Sequence, residues 1–73
     1  MYAIKWVVHR YEAQPVAVEN SDVAELDALV LSCQWRLSEM RDKYPLNQPD
    51  GFLIFDEAGN ELRRWFGSER PHL

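Results

Sequence analysis

The sequence has one cysteine, three glycines and no apolar run long enough to span a bilayer. Each scarcity excludes something. The lone thiol, Cys33, cannot close an internal disulfide, so no staple supplements the core. It suits a reducing compartment, and we expect a cytoplasmic protein. Uninterrupted apolar runs of a few residues fall far short of the ~20 that a membrane helix needs. No N-terminal stretch has the charged and apolar layout of a signal peptide. Gly51 and Gly59 stand isolated, so no phosphate-cradling loop is formed. Basic residues are outnumbered, 8 Lys and Arg against 12 Asp and Glu, for a net charge of −4. That balance disfavours a general binder of phosphate backbones.

What is present is a short chain rich in aromatics. Its 73 residues make one domain at most. So small a domain buries about 60% of its unfolded surface, which leaves its stability marginal. Apolar residues are 47% and charged residues 27%, ordinary globular values that argue against disorder. Three Trp, three Tyr and three Phe bring a large burial payload for this length.

The stretch from Ser21 to Tyr44 predicts a long helix that is apolar on two opposite sides. At about 100° per residue, Val23, Leu26, Leu29, Val30, Cys33, Leu37, Met40 and Tyr44 form one broad stripe. Ala24, Ala28, Leu31 and Trp35 form a second, narrower one on the far side. Asp22 as N-cap with Glu25 three residues on makes a variant of the capping box. Acidic residues crowd the first turns and Arg36, Arg41 and Lys43 the last, complementing the helix dipole. Pro45 ends the run by disfavouring helical geometry at Tyr44.

Strands are expected on either side. Tyr2 to Tyr11 alternates, with Tyr2, Ile4, Trp6 and Val8 on one face and Ala3, Lys5, Val7 and His9 on the other. Val16 to Val18, after Pro15, predicts a short second strand. Leu46 to Gly51 is loop. Phe52 to Asp56 and Glu61 to Phe66 read as a hairpin, with Gly59 and Asn60 supplying positive φ at its turn. The expected class is α+β: an antiparallel sheet of three or four strands, in the order β-β-α-β-β, with the helix across one face. Ile4, Trp6 and Val8 are expected to meet the broad helix stripe. Residues 1–67 form the domain, and 68–73 are expected to be a loosely ordered tail.

No catalytic, metal or cofactor motif stands out, and we expect neither an enzyme nor a bound small molecule. His9 lacks the nucleophile and orienting carboxylate that a general base needs. Cys33 sits among Val30 and Leu37, the setting of a buried hydrophobe rather than a reactive thiol. Cys33, His9 and His72 lack zinc-site spacing. Asp56 and Glu57 are adjacent, so they face different ways and do not make a glycosidase pair.

Two surfaces are candidates for binding. Lys5, His9, Arg63 and Trp65 are expected to share the sheet face away from the helix, a basic and aromatic set suited to single-stranded nucleic acid. Against it stand the acidic net charge, Glu61 on the same face and the missing RNA-binding signature. The narrow helix stripe, Ala24, Ala28, Leu31 and Trp35, is the stronger candidate. Leu31 and Trp35 lie one turn apart, tryptophan is enriched at interface hot spots, and the only candidate cover in the chain is the tail after Gly67. The expected function is a small acidic protein-binding module, a homodimer, that inhibits or adapts by occupying another protein's surface. Phage-encoded factors that block host defence complexes share this size and charge, which is an analogy only.

Overall fold

The structure, a computed structural model, describes residues 1–67. The elements are β1 (Tyr2–Val7), a single 3-10 turn (His9–Tyr11), β2 (Ala17–Ser21), α1 (Leu26–Lys43), β3 (Gly51–Phe55) and β4 (Glu61–Phe66). The strands form one antiparallel sheet in the order β2-β1-β3-β4, with α1 packed on one face. This is the α+β architecture that the alternation and the helical period call for. The expected tail, 68–73, lies outside the described residues.

The N-terminal strand is central. Ile4 pairs with Glu19 on one side and with Ile54 on the other. β2 and β3 both run antiparallel to β1, hence parallel to one another. Such a link needs a long connection, and α1 with its flanking loops provides it. β3 lies between β1 and β4, and Gly51 to Ile54 are all buried. That explains why this strand is apolar on both faces.

On the helix side, Ile4, Trp6, Phe52 and Ile54 pack against Leu29, Cys33, Leu37 and Met40. On the open side, Val7, Leu53 and Phe66 form a smaller cluster with Phe55 at its margin. The link from β1 to β2 reaches onto this face. The His9 ring meets Phe66 edge-on at 4.8 Å, and Arg64 bridges to Glu12 at 2.9 Å.

Several boundaries differ from the alternation pattern. β1 stops at Val7, because the chain turns at once into the 3-10 segment, closed by Tyr11 N–H donating to Val8 O at 2.8 Å. Val8 is therefore absent from the helix-side cluster. β2 runs later than expected, pairing Trp6 with Ala17 through to Tyr2 with Ser21. Its Val18 faces away from the helix and is exposed. The expected capping box does not form. Pairing holds the chain in the sheet as far as Ser21, and 22–25 then rise toward the helix layer. Ser21 Oγ accepts from Val23 N–H at 3.2 Å, and α1 begins at Leu26, after Glu25, with no side-chain cap. Val23 and Ala24 precede the helix and are exposed, so neither belongs to a helical stripe.

The hairpin joining β3 and β4 carries a bulge opposite Phe55, where the register shifts by one. Only Gly59 has positive φ, +87°; Asn60 does not. Asp56 organises the turn, its Oδ1 accepting from Ala58 N–H at 2.9 Å and Asn60 N–H at 2.8 Å. Asp50 ties three strand ends together. Its N–H donates to Val7 O at 3.1 Å, its carbonyl accepts from Gly67 N–H at 2.8 Å, and its Oδ1 accepts from His9 N–H at 2.8 Å.

Candidate functional site

The outer face of α1 exists because the inner face is held firmly. Arg36 clasps the Glu19 carboxylate of β2 with both terminal guanidinium nitrogens, Nη2 to Oε2 at 3.1 Å, and its guanidinium lies 5.4 Å from the Trp6 ring centroid. Hydrogen bonding from Arg36 holds the Glu19 carboxyl below its ordinary range and raises the guanidinium in turn. The buried Trp6 indole N–H makes no hydrogen bond of ordinary geometry, yet it faces Glu19 and helps to lower it. This clasp and the buried row of Leu29, Cys33, Leu37 and Met40 set the rotation of the helix about its own axis.

With that rotation fixed, Ala28, Leu31 and Trp35 point away from the sheet. Leu31 is 56% exposed and Trp35 78%. Three of the four residues of the narrow stripe thus share one face, and the fourth, Ala24, lies in the lead-in before the helix.

The second candidate set does not make one platform. Trp65 pairs directly with Phe52, stacks on it at 5.9 Å and packs against the helix-side core. Arg63 pairs with Ile54 and so lies on the same side. Lys5 is on the open side, its Nζ 4.5 Å from the Phe55 ring centroid. His9 is not in a strand at all; its 3-10 turn sets it against Phe66. The expectation that all four share the face away from the helix is corrected to two and two. The reason is register: β3 is apolar on both faces, so alternation alone does not say which face meets the helix.

Cys33, Asp56, Glu57 and Arg64 are each accounted for by their local setting. Burial pushes the Cys33 thiol up to about 11, which keeps it protonated at neutral pH. Asp56 is lowered by the hydrogen bonds of its own turn, and Glu57 turns away from it to the Met1 ammonium, at 2.9 Å. Arg64 is held by Glu61 and Glu12. Among the described residues, no group of three or more His, Cys, Asp and Glu is placed to hold a metal ion.

One feature escaped the sequence reading. Four strands about 4.8 Å apart span roughly 14 Å between outer axes, whereas a helix is only about 10 Å across. α1 sits over β1 and β3 and reaches β2 through Arg36, so a groove of about 680 Å3 opens between it and β4. Leu37, Ser38, Arg41 and Trp65 are among its walls. Counting four strands against one helix is the signal that would have found it. Comparison with known protein families, curated proteins and solved structures finds no match.

Proposed function

We propose that this chain is a non-enzymatic protein-binding module whose recognition surface is the outer face of α1. It acts as an inhibitor or adaptor by occupying a surface rather than by transforming a substrate. The observation that carries the reading is the 78% exposure of Trp35 beside a Leu31 that is 56% exposed, on a helix whose opposite side is fully used. Trp35 alone leaves on the order of 150 Å2 in water. At about 25 cal/mol per Å2, that is about 4 kcal/mol of hydrophobic stabilisation the monomer does not use. Tryptophan is among the residues most enriched at the energetic centres of protein interfaces.

Trp35→Asp tests this. The side chain supports nothing in the fold, so circular dichroism and the melting midpoint should stay those of the wild type. Binding should be lost, seen as a changed mass in solution or as failure to retain a partner protein. A folded variant with the same mass and the same partners as the wild type would overturn the proposal.

A further inference from the structure

We infer that the occupant of this face is a second copy of the chain, its α1 running antiparallel to the first, with a two-fold axis midway between Leu31 and Trp35. The inference rests on the reading of the outer face as an interface and names its partner.

The pattern on the face is self-complementary. Ala28, Leu31, Trp35 and Ser38 follow the 3-4-3 spacing of a helix seam. Read in either direction, the order is small, large, large, small. Reversed upon itself, the seam sets Leu31 against the partner's Trp35, and Ala28 against the partner's Ser38, each twice. The small residues at both ends let the helix backbones approach, and the two large pairs fill the middle.

Charge selects the antiparallel arrangement. Asp27, Gln34 and Arg41 recur at seven-residue spacing along one flank of the seam. Asp27 and Arg41 are exposed, and neither has an ion-pair partner among the described residues. A parallel pair would set Asp27 against the partner's Ser32 and Gln34 against the partner's Glu39, leaving Asp27 and Arg41 without opposite charges. The antiparallel pair sets Asp27 against the partner's Arg41 at both ends and Gln34 against its own copy in the middle. The helix dipoles then also oppose. On the other flank Ser32 meets its own copy. Glu39 points past the start of the partner helix, which begins at Leu26.

Four seam positions per helix make a small interface, below the ~800 Å2 per partner of a standard complex, so association is concentration-dependent. The test is sedimentation equilibrium of the full chain up to about 1 mM, a ceiling that captures even weak dimers. The wild type should move from monomer to dimer mass. Asp27→Arg and Arg41→Asp should each weaken the dimer by about tenfold, and the two together should restore it, because the pairs are re-formed with signs exchanged. Ala28 and Ser38 lie about 15 Å apart along one helix, too far for a disulfide within a chain. On oxidation, Ala28→Cys with Ser38→Cys in one chain should therefore give a covalent dimer, and neither single variant should.

A wild type that stays monomeric at about 1 mM overturns the inference. If Trp35→Asp then still abolishes retention of a different protein, the interface reading stands and only its occupant is wrong. If Trp35→Asp changes nothing, both fall. Cross-linking by the single cysteine variants as fast as by the double, or a charge exchange that fails to restore the dimer, overturns the antiparallel register.

Discussion

Arg36 and Glu19 join the helix to an edge strand by a two-pronged ion pair, and that pair decides which side of α1 meets water. Its strength depends on pH in a definite direction. The Glu19 carboxyl is lowered from an ordinary 4.5, first by hydrogen bonding to Arg36. A group more acidic when folded than when unfolded adds stability above its unfolded pKa and loses it as pH falls through the folded one. Both side chains are about a third exposed, so the contribution is modest, about 0.5 to 1 kcal/mol. Urea unfolding should show Glu19→Gln less stable than the wild type at pH 7, with a smaller gap at pH 3. An equal gap at both pH values would show that charge is not the cause.

Gly51 sits where a side chain has no room. A Cβ there would lie 2.3 Å from both Phe66 Cδ1 and Trp65 O. Overpacking of this kind costs about 2 to 3 kcal/mol, so Gly51→Ala should lower the urea midpoint sharply. Adding Phe66→Ala should not restore it. That change removes the ring but not the backbone carbonyl, and it opens a cavity in the open-face cluster. Full recovery in the double variant would show that the side chain alone was in the way.

Cys33 should behave as a hydrophobe. It is fully buried, and desolvation raises its thiol to about 11. At pH 8 the native protein should react with a thiol reagent only as fast as it opens. Urea sufficient to unfold the chain should bring the rate to that of a free cysteine. Rapid native labelling would contradict the burial.

Local pattern carried much of this fold and global pairing the rest. The alternation from Tyr2 to Val7, the helical period from Leu26 to Lys43 and the Asp56 to Asn60 turn are each written within a few neighbouring residues. Strand order is not. It depends on Ile4 finding Ile54, far along the chain, and no local signal marks that meeting. Helix onset is not written locally for a related reason. Asp22 and Glu25 have the composition of a cap, but Ser21 is committed to Tyr2, so the chain is still leaving the sheet when it passes them. The side that Trp65 takes is hidden in the sequence because Phe52, Leu53, Ile54 and Phe55 offer equally apolar faces. Leu31 and Trp35, by contrast, were legible from periodicity alone: once the broad stripe is given to the core, they have nowhere to go but outward.

The central place of β1 also sets a timetable. During synthesis β1 emerges first and can pair early with β2, through a short connection. Its other edge, which receives β3, must wait until the chain has been made as far as Phe55. At about 5 to 20 residues per second that interval lasts on the order of seconds. A two-stranded ribbon is barely stable alone, so Trp6 has neither Phe52 nor a complete helix over it in that time. Trp6, the largest fully buried side chain, thus stays uncovered until the chain has been made through β3.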